Sequence, residues 1–342
     1  MAMRALAARS LSYLPLVAPL LVASYVLASL PIPSNRLPAA TDPGLASLPL
    51  NSRAREVYPE DWTEGGAYVQ LPIGRACRYW LAGPESGKKV VLLTPSLAFT
   101  ELVPILVGAG YRVLLYDLYG RGYSDAPRGV PYDATLYVTQ LALLMQHIQW
   151  ERTRVVGFSM GGAIAAAFVA TFPTLVEQEV VLIASAGASE SPAPLTKLRH
   201  WPLVEKYMFR TILSRLSSNL RSEENPMQQM LRLQAAGLPG YAHAIVSSLH
   251  EGPITRMRWA FEARSWTGKR VLLVHGTRDV VVPPANWPRL KSFLESVAAD
   301  RASPPRVELI EIPGAGHDLT WTHADEVGRT LVAFLDALVS DQ

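Results

Sequence analysis

The stretch VVGFSMGGAIAAAFVATFP (residues 155–173) decides the fold. Val155 and Val156 favour an extended chain, whereas the alanine-rich run from Ala163 onward favours helix. The join falls on Gly157-Phe158-Ser159-Met160-Gly161, a G-x-S-x-G pattern. Small flanking residues let the backbone turn sharply and hold a strained serine at the tip, its hydroxyl projecting into a cleft. The helix that follows begins with unpaired N–H groups at a positive dipole end, both suited to an oxyanion. A five-residue pattern with three fixed positions also recurs by chance as an ordinary glycine turn, so its surroundings must decide.

Working outward, residues 68–71 and 75–81 read as two strands joined around Pro72-Ile73-Gly74. Strands at 90–93, 112–116, 153–157 and 180–183 then alternate with helices at about 97–107, 134–148 and 160–172. From about 186 to 267 the strand signal gives way to helical sequence containing Leu, Met and Arg, an inserted cap. Alternation resumes with a strand at 270–275, a helix at about 284–297, a strand at 306–312 and a terminal helix at 321–338. Such alternation predicts βαβ units and a parallel sheet. In an open parallel sheet ligands bind beyond the carboxyl ends of the strands, and Ser159 follows one such end.

A serine hydroxyl is a poor nucleophile at neutral pH and needs a base in reach, itself oriented by an acid. Asp279 lies in VLLVHGTRDVVVP, directly after the strand at 270–275, and His317 lies in IEIPGAGHDLTW, directly after the next strand. Both are delivered to the edge that carries Ser159. The chain order Ser159, Asp279, His317 is the one associated with this turn. Of the seven histidines, His147, His200, His243 and His250 fall in helical stretches and His275 within or at the end of a strand. His323 is the rival base, but the pattern puts it inside the terminal helix. Asp318 and Asp325 compete with Asp279 without lying on a separate strand end.

Length and composition agree with this reading. A chain of 342 residues, 49% hydrophobic and 18% charged, can bury a large core, and points to one catalytic domain with an insertion. The 32 basic and 29 acidic residues leave +3, no electrostatic footprint for nucleic acid. Cys77, the single cysteine, permits neither an intrachain disulfide nor a cysteine-based metal site. The loop YGRGYSD lacks the G-x-G-x-x-G spacing of a dinucleotide site, and the triad chemistry requires no cofactor and no metal.

The segments GYRVLLYDLYGRGYSDAP, VVGFSMGG, HGTRDVVVP and PGAGH together resemble the α/β-hydrolase-fold serine hydrolases, in the esterase, lipase and monoacylglycerol-lipase-like branch. The resemblance covers roughly residues 67–338. It implies a mostly parallel eight-stranded sheet with helices on both faces and an inserted helical cap. It also implies attack by Ser159 on an acyl carbonyl, proton transfer through His317, orientation by Asp279, and release of the acyl-enzyme by water. Where this family usually has His-Gly after the first parallel strand, the chain has Thr94-Pro95, and Ser96 matches the position whose backbone N–H serves the oxyanion. Met160 supplies the second N–H. Asp117, Gly120, Gly122 and Asp125 match the family's pattern as turn-forming residues. The expected substrate is an ester of a lipid or other apolar acyl group. Related members with the same triad cleave amides, thioesters or carbon–carbon bonds, and a non-catalytic ligand-binding member is the reading from another class. Epoxide hydrolases and dehalogenases of this fold have Asp where this chain has Ser159.

Residues 10–32 carry no charge and follow Arg4 and Arg9, so they are long enough to span a bilayer. Pro15 and Pro19 interrupt them and leave an apolar core at 20–30 that also suits a signal peptide cleaved near Ala28. Residues 1–33 are therefore expected as an anchor or signal segment, with the remainder on the lumenal or outer side; secretion after cleavage and a mitochondrial presequence are the alternatives. Residues 34–64, rich in Pro, Ser and Asn, read as a linker to a hydrolase domain at 65–342. Within the cap, residues 195–221 read as a basic amphipathic helix with Val204, Met208, Ile212 and Leu216 on one face, suited either to the core or to an anionic lipid surface.

Overall fold

The computed structural model describes residues 19, 21–26, 41–73, 76–93, 96–190, 207, 210–211, 226–296 and 303–337. Among the described residues ten strands run in the order β1 (Thr41–Asp42), β2 (Gly66–Val69), β3 (Cys77–Ala82), β4 (Lys88–Leu93), β5 (Tyr111–Tyr116), β6 (Ala126–Pro127), β7 (Thr153–Phe158), β8 (Val176–Ile183), β9 (Arg270–Gly276) and β10 (Arg306–Ile312). Eight of them form one sheet, ordered β10-β9-β8-β7-β4-β5-β3-β2. The pairings from β10 through β5 are parallel, and β3 joins β5 and β2 antiparallel. The eight strands expected from the sequence are these eight.

Both faces of the sheet are covered, and the strand residues divide between them by alternation. Val91, Leu93, Val155, Leu182 and Leu273 enter one apolar cluster, while their neighbours Val90, Leu92, Val156, Val181 and Leu272 enter the other. A period of two makes both sets inward-facing, which is why these strands read as continuous apolar runs. The helices are α1 (Arg53–Val57), α2 (Leu102–Gly108), α3 (Ala134–His147), α4 (Met160–Thr171), α5 (Pro226–Gly237), α6 (Tyr241–His250), α7 (Arg258–Phe261), α8 (Asn286–Ser296), α9 (Leu319–Thr322) and α10 (Ala324–Asp336). Helices α3 and α4 supply the first cluster, α2 and α10 the second. In α4 every residue from Ala163 to Val169 is inaccessible to solvent. Its small alanines admit close packing all round, and burying Ile164, Phe168 and Val169 stabilises the fold by roughly 1.5–3 kcal/mol each.

Three expectations change. The helix expected at 97–107 is a tight turn at Ser96–Phe99 followed by α2. Pro104 explains the break: in a helix running from 97 its ring would meet the carbonyl of Thr100, whereas in α2 it occupies the first turn. The terminal helix divides at His323, whose φ of −129° is not helical, and the acidic Asp325 and Glu326 then open α10 at its positive end. Residues 41–64, expected as linker, are packed. β1 pairs with β6, Leu45 and Tyr58 are buried, and the amide of Leu45 donates to the Gly122 carbonyl at 2.9 Å. A proline-rich composition describes the turns of this arm and hides its few apolar anchors.

The described part of the cap, α5 to α7, is helical and inserted between β8 and β9. The expected basic amphipathic helix at 195–221 lies almost wholly outside the described residues, as does most of the segment at 10–32, of which residues 21–26 are helical. No helix among the described residues is long and apolar enough to cross a membrane.

Candidate active site

The serine expected as nucleophile sits between β7 and α4 with φ 57° and ψ −120°, a backbone conformation that costs a non-glycine residue about 1–3 kcal/mol. Three hydrogen bonds hold it there. The Ser159 amide donates to the Ile183 carbonyl at 2.9 Å, and its own carbonyl accepts from the amides of Gly162 and Ala186, both at 3.0 Å. A Cβ on Gly157 would lie 2.3 Å from the Gly161 carbonyl oxygen, so the sharpness of the turn is what demands glycine before the serine.

His317 and Asp279 come from the ends of β10 and β9, two neighbours in the sheet. Their loops are tied together: the Arg278 amide donates to the Ala315 carbonyl at 2.9 Å, and the Gly314 amide to the Thr277 hydroxyl at 2.9 Å. The result is a continuous chain of contacts. His317 Nε2 is 2.9 Å from Ser159 Oγ, and His317 Nδ1 is 2.8 Å from Asp279 Oδ2. Asp279 is buried, and its Oδ1 accepts from the amides of Val281 and Val282, each at 2.9 Å. A carboxylate so engaged accepts from Nδ1–H and leaves Nε2 as the acceptor for the serine hydroxyl; these partners assign the tautomer. Phe158 covers the imidazole, with ring centroids 5.0 Å apart. The three expected residues are thus brought into one hydrogen-bonded line.

The rivals fall elsewhere. His323 is at the junction of α9 and α10, where its Nδ1 meets the Thr322 hydroxyl at 2.9 Å. Asp318 precedes α9 and Asp325 lies in the first turn of α10.

The two expected oxyanion amides differ. Met160 is the first residue of α4, where an amide has no acceptor within the helix. Ser96 opens the tight turn after β4, is buried, and lies close enough to the Asp117 carboxylate to act on it electrostatically. Thr94 and Pro95, just before it, lie outside the described residues.

Asp117 is buried beneath this turn. It accepts from the Tyr123 amide at 2.9 Å and the Tyr58 hydroxyl at 3.0 Å. Burial pushes its carboxyl up to about 6, with the hydrogen bonds from Tyr123 and Tyr58 and the nearby Ser96 acting the other way. Asp125 accepts the Ala76 amide at 3.0 Å, the turn-forming part the sequence suggests.

Two neighbours escaped the sequence reading. His275 is buried, its Nε2 donates to the Val282 carbonyl at 2.9 Å, and it stands 3.8 Å from Asp279 Oδ2. Burial holds its pKa below the ordinary value, so at neutral pH it is an uncharged brace for the Asp279 loop. Tyr58 comes from the arm dismissed as linker. Nothing in the spacing of either residue betrays its role, because each acts through a contact made only on folding.

The comparisons with known proteins agree with the geometry. The profile of the serine aminopeptidase S33 family matches residues 94–322, from the end of β4 to α9. A Synechocystis sp. protein assigned as a non-heme chloroperoxidase is 28% identical over 255 residues, 70% of this chain and 86% of that one. The 2-hydroxy-6-oxo-2,4-heptadienoate hydrolase of Pseudomonas putida is 28% identical over 197 residues, 54% of this chain and 67% of that one. A bromoperoxidase from Bacillus anthracis has the same fold, with a TM-score of 0.60 and 23% identity over 80% of this chain and all of that one. With its eight-stranded sheet, its serine turn after β7 and a match across two thirds of its length, this chain belongs to the serine aminopeptidase S33 family of α/β-hydrolase-fold enzymes.

Proposed function

We propose that this chain is a serine hydrolase that cleaves carboxylic esters of lipid or other apolar acyl groups through an acyl-enzyme. The observation that carries the proposal is the unbroken line from Ser159 Oγ through His317 to Asp279, at 2.9 and 2.8 Å. Ser159 Oγ attacks the acyl carbonyl as its proton passes to His317 Nε2, and the Met160 amide stabilises the oxyanion. Collapse expels the alcohol, which takes the proton from His317. Water, deprotonated by the same imidazole, then attacks the acyl-enzyme, and the acid is released as His317 returns the proton to Ser159 Oγ. The apolar Phe158 and Met160 beside the serine, and the exposed Val280 next to Asp279, support an apolar acyl group.

A fluorophosphonate probe and a panel of acyl esters of increasing chain length test the reading. Covalent labelling of Ser159 with turnover of esters supports it. Absence of labelling in folded protein would leave a ligand-binding member of the fold. An aminoacyl amide and a 2-hydroxy-6-oxo-2,4-dienoate belong in the panel, since the family's name and that of the Pseudomonas putida relative point to them. Faster turnover of either than of any ester would move the reaction to amide or carbon–carbon cleavage. In the same proposal residues 10–32 hold the chain at a membrane, with the folded part on the lumenal or outer side. Recovery of the full-length chain in the soluble cytoplasmic fraction would refute that part.

A further inference from the structure

Arg121 stands between Gly120 and Gly122 in the loop after β5 and is only 4% exposed. A guanidinium stays charged throughout the range of pH proteins meet, and a buried charge is costly unless it is paired and hydrogen-bonded. Among the described residues its partners are all neutral. Nη1 donates to the Tyr137 hydroxyl at 2.5 Å and the Tyr119 carbonyl at 3.5 Å, and Nη2 to the Ser248 hydroxyl at 3.2 Å and the Met160 sulfur at 3.6 Å. No carboxylate among the described residues forms an ion pair with it. The charge is felt nearby: at Tyr132 and Tyr241 it opposes the upward push that burial gives their hydroxyls.

These partners fix the guanidinium without cancelling it. Tyr137 belongs to α3 and Ser248 to α6 of the cap, so the side chain is clamped between the core and the insertion. Met160 is the residue after Ser159, and its amide is the one proposed to meet the oxyanion. We propose that Arg121 is a positioning residue whose charge, unpaired by any carboxylate among the described residues and held one methionine side chain behind the Met160 amide, strengthens stabilisation of the oxyanion formed as Ser159 is acylated. The proposal rests on the hydrolase reading above and adds a residue to it. In this role Arg121 acts without bonding the substrate, since both of its terminal nitrogens are engaged by the protein. Its field acts on a charge that exists only in the transition state, so it raises kcat and leaves KM nearly unchanged. At an effective dielectric constant of about 20, a unit charge acting over roughly 7–10 Å is worth on the order of 10- to 50-fold in rate.

The test uses the full chain with Arg121→Met, Arg121→Lys and Tyr137→Phe. It reads hydrolysis of a neutral short-chain p-nitrophenyl ester and the rate at which a fluorophosphonate inactivates Ser159. Arg121→Met is expected to lower kcat and the inactivation rate roughly 10- to 50-fold with KM within about two-fold. Arg121→Lys keeps the charge and is expected within about five-fold of wild type, as is Tyr137→Phe, which loosens the clamp without removing the charge. Wild-type rates in Arg121→Met would overturn the proposal. So would a folded Arg121→Lys that is as slow as a 50-fold loss, or a Tyr137→Phe that is equally damaged, since either makes the shape of the clamp the cause. If Arg121→Met does not fold, Arg121→Gln takes its place, with the same expected loss and the same refuting result. A wild type that the probe does not label overturns the hydrolase reading and this proposal together; labelling at equal rates in all variants overturns only this one.

Discussion

Replacing Asp279 by asparagine separates the two tasks of its carboxylate. Oδ1 accepts the Val281 and Val282 amides at 2.9 Å, and Oδ2 accepts from His317 Nδ1 at 2.8 Å. Asparagine keeps an oxygen for the two amides and turns an NH2 toward the imidazole. An NH2 donates and cannot accept, so His317 must offer Nδ1 as acceptor and carry its proton on Nε2. Ser159 Oγ then faces a donor instead of a base. The expected loss in kcat is on the order of 10⁴, as in other triads, at a cost in stability of only about 1 kcal/mol. Asp279→Ala differs. It also strands the two loop amides, at about 1–3 kcal/mol each, so it loses roughly 2–6 kcal/mol as well as activity. Ester turnover at pH 8 and urea unfolding of both variants make the assay. Asparagine protein that keeps more than about 1% of wild-type kcat would refute the tautomer argument, and alanine protein as stable as wild type would refute the loop argument.

Ser159→Ala is expected to remove turnover by a factor on the order of 10⁵–10⁶ with the fold intact; more than a few per cent of activity in pure protein would take Ser159 out of the mechanism. His317→Ala is expected to abolish activity and His323→Ala to spare most of it, since the His323 ring meets the Thr322 hydroxyl at the junction of α9 and α10; the reverse order of kcat would contradict the site. Asp117 gives a pH test. Its folded pKa of about 6 lies above the unfolded value of about 3.9, so its contribution is fully present below pH 4 and lost as pH rises through 6. The difference of two pKa units amounts to roughly 3 kcal/mol. Unfolding free energies of wild type and Asp117→Asn, compared at pH 4 and pH 8, should therefore move by that amount in favour of asparagine, and a constant difference would show that the buried carboxyl does not titrate.

The fold was legible wherever burial is regular. Val90 to Leu93 and Val180 to Ile183 are apolar at successive positions because both faces of the sheet are covered, and that pattern survives in a single sequence. The line Ser159, His317, Asp279 was legible because each residue follows a strand and the strands share an edge. What escaped depends on single contacts. Tyr58 reaches Asp117 across a stretch whose composition suggests a loop, His275 braces its loop through one carbonyl, and Arg121 is an ordinary basic residue until its neighbours are seen to be neutral. The split at Pro104 could have been anticipated from the proline alone.

The cap enters between β8 and β9, and these strands are partners, with Glu179 opposite Arg270 and Ile183 opposite Val274. Ser159 precedes the insertion in the chain; Asp279 and His317 follow it. A nick anywhere in the insertion would therefore sort the triad onto two fragments, the serine on one and the acid and base on the other. The seam that rejoins them is an interior sheet pairing, with Val180, Val181 and Leu182 on one side and Val271, Leu272 and Leu273 on the other, all buried. Geometrically the molecule is a two-piece lock whose halves meet at that seam, and the covalent link between them runs through the cap.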